Sequence, residues 1–306
     1  MQHPIKILLG GVLLSSTLFG FDYKLEPKQI SPSVWCFFGK LEAPSKSNGG
    51  HMSNSCYIKT DKNYIVVDSG PTHQFAEQSY RAMEKIAKLP VKLVINTHYH
   101  DDHWLGNSYF KQRFNATLMG TTLQQRSYKK GDHVRIGKMT SPEIFARTEI
   151  VPLDETIQKK KTLNIDTTTL TLIPVGTKAH TSEDLFVLLE NDKVVFSGDL
   201  VMNGRISSNR DGSVLGQLKA HEMINQTGWK ALVPGHGYET GAKAMEESAL
   251  YFRLLKERVG KAVEDDIGAD EVTKTVTLPE FKDKALYDVV NKRNIFEAYN
   301  ELEFAE

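Results

Sequence analysis

The chain has 306 residues, 40% of them hydrophobic and 25% charged, with 38 basic against 38 acidic side chains. That length suits one large domain or two small ones, and the composition excludes a disordered or low-complexity chain. A formal net charge of zero gives no general attraction to nucleic acid or to an anionic membrane.

Taken in chain order, the first feature is a leader. Lys6 is followed by Ile7-Leu8-Leu9-Gly10-Gly11-Val12-Leu13-Leu14 and an apolar stretch to about Phe21, the form of a bacterial secretory signal. The expectation is a signal peptide over residues 1–20, cleaved near Gly20, and one domain over residues 21–306. The stretch is short for a spanning helix, which needs about 20 apolar residues. No stable membrane association is therefore expected after cleavage, and export places the protein in the periplasm. The two cysteines, Cys36 and Cys56, sit in strand-like runs Val34–Phe38 and Ser55–Ile58. An oxidising compartment permits a disulfide between them; two buried thiols fit the sequence equally well. Between them, Ala43 to Asn54 reads as a hairpin loop.

Further strands are expected at Tyr64–Asp68, Leu93–Asn96, Ala116–Met119, Leu170–Ile173, Leu185–Leu189 and Val194–Phe196, since short β-branched runs end there in Gly, Asp or Asn. Helices are expected over Gln74–Lys88, Gly106–Phe114, Gly216–Gln226 and Ala242–Val263, with two short helices over Leu278–Glu306. Strands interleaved with helices indicate an α/β domain of sheet layers covered by helices.

The chemistry concentrates after the run Val91–Ile95, at His98-Tyr99-His100-Asp101-Asp102-His103. Three imidazoles and two carboxylates in six residues suit zinc or another first-row metal. Later strand-like runs also end in candidate ligands: His180 after Gly176-Thr177-Lys178-Ala179, Asp199 after Ser197-Gly198, and His236 after Pro234-Gly235. Ligands of α/β proteins gather beyond the carboxyl ends of strands, so these ends fit one shared site.

This pattern resembles the metallo-β-lactamase superfamily of metallohydrolases. The resemblance rests on Thr97–His103, Val67-Asp68-Ser69-Gly70, His180, Ser197-Gly198-Asp199 and Pro234-Gly235-His236-Gly237, and covers about Ile30 to Gly237. It implies an αββα sandwich with metals at one edge between the sheets. It implies His98, His100 and His180 for one metal, Asp102, His103 and His236 for a second, and Asp199 as a bridging carboxylate. Asp68 would lie behind the ligands. His98 and His100, two apart in extended backbone, project to one side, which fits that division. Three protein ligands and a shared carboxylate leave each ion an open position. Two close divalent ions, zinc by expectation, would hold a hydroxide nucleophile that attacks a small-molecule carbonyl, with Asp102 orienting it.

The substrate class is a thioester, ester, lactone or lactam. Asp199 departs from the cysteine or serine of the main zinc β-lactamase branches. Asn203-Gly204-Arg205-Ile206 and Asn300-Glu301-Leu302-Glu303 look similar to SoxH-like periplasmic hydrolases associated with quinoprotein and sulfur-oxidation systems, which makes periplasmic redox-system proteins candidate partners. The alternatives are a β-lactamase proper, an iron-dependent persulfide oxidiser of the same fold, and a non-catalytic metal-binding protein. Arg205 and Lys178 are candidate anchors for a substrate carboxylate, Arg205 through its bidentate fork. His51, His73, His133 and His221 lie outside the pattern and read as structural or surface residues, and Lys159-Lys160-Lys161 as a solvated turn.

Overall fold

The structure is a computed structural model that describes residues 20–130 and 134–304; the expected leader, apart from Gly20, lies outside them. Among the described residues, seven strands form one sheet: β1 (Lys28–Ser31), β2 (Val34–Phe37), β3 (Ser55–Lys59), β4 (Tyr64–Val67), β5 (Val91–Ile95), β6 (Thr117–Gly120) and β7 (Glu155–Thr156), in that spatial order. Pairing is antiparallel from β1 to β4 and parallel from β4 to β7. A second sheet holds β8 (Lys161–Ile165), β9 (Thr168–Pro174), β10 (Leu185–Leu189), β11 (Val194–Phe196) and β12 (Ala231–Val233), in the order β12-β11-β10-β9-β8. Its one parallel pair is β11 with β12.

The alternation of side chains along each strand explains the layering. Cys36, Cys56, Ile65, Val67, Leu93 and Ile95 of the first sheet meet Leu185, Val187, Leu189, Val194 and Phe196 of the second in one buried cluster. The intervening Tyr64, Val66 and Val94 face away, onto α1 (His73–Glu84), the short α2 (Asp101–Trp104) and α3 (Asn107–Phe114). Phe186, Leu188 and Val195 likewise face away from the second sheet, among residues of the later helices. Strands covered on both faces carry continuous apolar runs, as in Leu185-Phe186-Val187-Leu188-Leu189. The result is an αββα sandwich.

Three short helices, α4 (Thr122–Lys130), α5 (Ile136–Met139) and α6 (Pro142–Phe145), fill the connection from β6 to β7. After β11 come α7 (Val214–Asn225), α8 (Ala242–Glu264), α9 (Ala269–Thr275) and α10 (Tyr287–Leu302). Residues of α8, α9 and α10 share a separate apolar cluster. No helix of the described residues is long and apolar enough to cross a membrane.

Two expectations are corrected. The segment from Leu278 holds a 3-10 turn at Pro279–Phe281 and then one 16-residue helix, not two short ones. The buried stripe of α10 is Asn291, Asn294, Ile295, Ala298 and Tyr299, a helical spacing partly carried by polar residues. Both asparagines are satisfied: Asn294 donates to Ser207 O at 2.6 Å and to Tyr251 Oη at 2.8 Å, and Asn291 accepts from Tyr251 Oη at 3.1 Å. An apolar count along the sequence misses such a stripe. Lys161 is the other case: it opens edge strand β8 instead of ending a turn, and charged residues commonly guard sheet edges.

Cys36 and Cys56 lie directly opposite each other in the β2–β3 register and form a disulfide. The bridge closes a loop of 20 residues in sequence separation, the loop that carries Ala43 to Asn54. A Cys36→Ala/Cys56→Ala double variant is expected to lose about 3 kcal/mol of unfolding free energy. Urea unfolding measures it; identical midpoints for the variant and the oxidised wild type would remove the bridge from any account of stability.

Candidate metal centre

The residues singled out by the motif converge at one edge of the sandwich. β5 ends at Ile95, the chain bends over Thr97–Tyr99, so the expected extended backbone does not run through His98, and His100 in extended conformation leads into α2 at Asp101. β11 delivers Asp199 on a 3-10 turn, Gly198–Leu200, and β12 delivers His236 three residues past Val233. His180 precedes β10 in the connection from β9. Close approach requires glycine at two of these turns. A Cβ on Gly235 would stand 2.1 Å from Asp199 Oδ1, and one on Gly198, whose φ is +52°, would stand 2.5 Å from Thr97 Oγ1.

Two groups of ligand-type atoms result, His98, His100, His180 and Asp199 in one and Asp102, His103 and His236 in the other, with the atoms of each within 4.8 Å of one another. In the first, His100 Nδ1 lies 3.1 Å from His98 Nε2 and 2.9 Å from His180 Nε2, and Asp199 Oδ2 lies 3.2 Å from His180 Nε2. In the second, His236 Nε2 lies 3.4 Å from both His103 Nε2 and Asp102 Oδ2. Asp199 reaches across: Oδ1 is 3.1 Å from His103 Nε2, and Oδ2 is 3.3 Å from His236 Nε2. Tetrahedral ligands at zinc–nitrogen distance stand about 3.3 Å apart. The spacing therefore fits a divalent cation in each group. Asp102 Oδ2 and Asp199 Oδ1 are buried oxygens aimed inward with no hydrogen-bond donor, which such a cation would satisfy.

At four of the five rings the partner of the outer nitrogen fixes which nitrogen faces inward; His180 Nδ1 is buried with no hydrogen-bond partner among the described residues. His103 Nδ1 is 2.8 Å from Asp68 Oδ2, His236 Nδ1 is 2.6 Å from Met52 O, and His100 Nε2 is 3.3 Å from Asp211 Oδ2. Each acceptor takes an N–H and leaves a lone pair on the inner nitrogen. His98 Nδ1 lies 3.0 Å from Thr97 Oγ1, which itself donates to Asp68 Oδ2 at 2.9 Å. Asp68 thus lies behind both groups, as the motif implied. Its own backbone is left-handed, with φ +56°, and its Oδ1 accepts the Thr97 N–H.

Electrostatics divide the rings: burial lowers the pKa of most of them, whereas at His103 burial is outweighed by the carboxylates of Asp199, Asp68 and Asp102, which raise it well above its ordinary value. Burial pushes His98 well down, and His236 down, and brings His100 down to about 4, leaving imidazoles in the form that binds metal. Burial opposes ionisation of Asp102 and Asp199. The surrounding histidines, with Arg135 at Asp102, outweigh it and hold Asp102 at about 2 and Asp199 well below the usual range.

The structure places the other described candidates outside the two groups. Arg205 is buried, with Nη1 3.3 Å from His236 Nδ1; since Nδ1 donates to Met52 O, this is a contact between two donors. Lys178 is exposed and lies outside both groups. Trp104 packs into the core and donates to Tyr99 O at 2.7 Å. His51 packs on Phe75 with ring centroids 4.5 Å apart, and His73 Nδ1 lies 3.2 Å from Ser108 Oγ. His221 donates to Leu200 O at 2.7 Å; His133 lies outside the described residues. Asp211, Met52 and Arg135 were not anticipated. An Asn-Arg-Asp-Gly turn and a main-chain carbonyl carry no sequence signal for such roles.

The family model of the Metallo-beta-lactamase superfamily matches residues 48–250. The chain belongs to this superfamily. A probable metallo-hydrolase of Methanocaldococcus jannaschii is 24% identical over 199 residues, covering 63% of this chain and 91% of that protein. A metallo-beta-lactamase from Pontibacter korlensis shares the fold at a TM-score of 0.60, with 20% identity over 75% of this chain and 99% of that one. A metallo-beta-lactamase from Hirschia baltica aligns at a TM-score of 0.58, with 16% identity over 74% and 97%. The family match ends inside α8, so α9 and α10 lie beyond it.

His51 and His221 make stability depend on pH independently of any metal. Burial pushes His51 down to about 3 and His221 down to about 4. Between about pH 6.5 and 4 the unfolded chain binds protons at these rings that the folded chain refuses. Their contribution is therefore full above pH 6.5 and lost as pH falls. The metal-free protein is expected to weaken steadily over that window in urea unfolding, and His221→Gln to weaken less steeply. Equal slopes would exclude His221.

Proposed function

We propose that the protein is a dinuclear metallohydrolase acting on a small acyl substrate, a thioester, ester, lactone or lactam, with zinc as the native metal. The position of Asp199 carries the reading. Its two carboxylate oxygens lie 3.1 to 3.3 Å from His103, His180 and His236, and a carboxylate can bridge two cations where a neutral imidazole cannot. His98, His100 and His180 would hold one ion, and Asp102, His103 and His236 the other. Bound there, the pair would supply a water activated near neutral pH and Lewis-acid polarisation of the scissile carbonyl. The chain's own contribution is orientation. Asp68, Asp211 and Met52 O set the rings, and Asp102 faces the second group with one oxygen.

A disulfide between Cys36 and Cys56 supports an oxidising compartment. Together with the N-terminal apolar segment it favours export to the periplasm. Placement in the SoxH-like branch, with redox-system proteins as partners, rests on the short motifs at Asn203–Ile206 and Asn300–Glu303.

Metal analysis of purified protein, followed by assay on β-lactam, lactone and thioester panels, tests the proposal. Two zincs per chain and turnover of at least one class are expected. Asp199→Ala is expected to lose about one equivalent of metal and about 100-fold or more in rate. A single iron per chain would favour the persulfide-oxidising alternative. A zinc-loaded protein inert to every class would sink the hydrolase reading.

A further inference from the structure

Among the described residues, the connection that carries α4, α5 and α6 contributes none to the two ligand groups, yet it reaches the centre through Arg135. This residue directly precedes α5. Its Nε and Nη2 donate to Asp101 Oδ1 at 3.0 and 2.8 Å, and Nη2 also lies 3.2 Å from Asp102 Oδ1. Asp101 Oδ2 accepts the backbone N–H of Arg135 and, at 2.8 Å, that of Ile136. Asp101 is fully buried, while the Arg135 side chain is 35% exposed. Arg135 is thus clamped on one acid and holds the next.

The consequence falls on the Asp102 torsion. Ser53 Oγ donates to Asp102 O at 2.6 Å, which fixes the main chain and leaves the carboxylate free to turn. A terminal sp³–sp² torsion of this kind is broad and two-fold. Arg135 engages Oδ1, and Oδ2 is the oxygen left facing His236 Nε2 and His103 Nε2, at 3.4 and 3.6 Å. We propose that Arg135 is the positioning residue of the second cation site: it fixes the plane of the Asp102 carboxylate, so that one oxygen meets the guanidinium and the other faces the site, and so sets the affinity of the Asp102–His103–His236 group while leaving the His98–His100–His180 group unaffected. This rests on the two-cation reading above.

The sign of the effect separates positioning from simple electrostatics. A guanidinium beside a cation site repels the cation, so on charge alone its removal tightens binding. Positioning requires the opposite. Such outer partners of ligands change metal affinity by about 10- to 100-fold when removed.

The test is stepwise Co2+ titration of metal-free wild type, Arg135→Met and Arg135→Lys. It is followed by visible absorption and by metal content after dialysis, with circular dichroism as the folding control. Wild type is expected to bind two equivalents. Arg135→Met should keep the first step unchanged and weaken the second by about 10- to 100-fold. Arg135→Lys should fall between, because one ammonium cannot span both acids as the planar fork does. An unchanged or tighter second step in Arg135→Met overturns the inference alone. Should Arg135→Met fail to fold, Arg135→Lys decides by the same criterion. A wild type that binds a single equivalent overturns the two-cation reading and this inference with it.

Discussion

A buried imidazole presents a fixed lone pair when its other nitrogen is committed to an acceptor, and four of the five rings of the centre are held in this way. Asp68 acts on two rings at once. It accepts from His103 directly and from Thr97 Oγ1, which in turn lies against His98. One carboxylate therefore couples a ring of the first group to a ring of the second. Its left-handed backbone at the end of β4 turns the side chain back across the ends of the strands. The parallel pairing of β4 with β5 places it beside Thr97. Orientation by outer partners of this kind is common at metal sites; here one residue serves both halves.

The sandwich supplies the remaining geometry. Parallel pairs β4–β5 in one sheet and β11–β12 in the other bring four carboxyl ends to the same edge. The β2–β3 loop joins them from above. Met52 O orients His236, Ser53 holds the Asp102 main chain, and Asn54 Nδ2 donates to Pro234 O and Gly237 O at 2.9 and 3.0 Å. The disulfide at the root of this hairpin fixes its register, so the loop's contacts with the His236 turn inherit that constraint.

The residues that face the centre were legible in the sequence because metal chemistry needs specific side chains at strand ends. His98 to His103, His180, Asp199 and His236 announce themselves by type and position. The partners behind them do not. A main-chain carbonyl such as Met52 O has no side-chain signature, and Asp211 and Arg135 sit in loops where charged residues are ordinary. Strand identity in the sandwich was readable from β-branched runs. The α4–α6 connection, edge strand β8 and the full length of α10 were not: α5 and α6 span four residues each and bury one isoleucine apiece, β8 is mostly half-exposed, and the buried stripe of α10 is partly asparagine. At α10 and behind the rings the physical origin is the same: tertiary hydrogen bonds satisfy groups that a local pattern treats as solvated.

Charge explains why this arrangement suits hydrolysis in particular. Asp101 is matched by Arg135 and Asp211 by Arg210, at 2.8 and 2.7 Å. The buried Asp68 and Arg205 add one acid at His103 and one base at His236. These three pairs sum to about neutral, and the buried Asp184 near His180 and Asp199 is one further acid. With a divalent cation in each group, Asp102 and Asp199 cancel only half of the positive charge. On the proposed reading that surplus would stabilise negative charge developing on a substrate oxygen, since fixed charges act most strongly where water is excluded. A thiolate or hydroxyl at position 199 would alter that balance and the reach across both groups together. The carboxylate at Asp199 is therefore the feature that links the geometry of the centre to its chemistry.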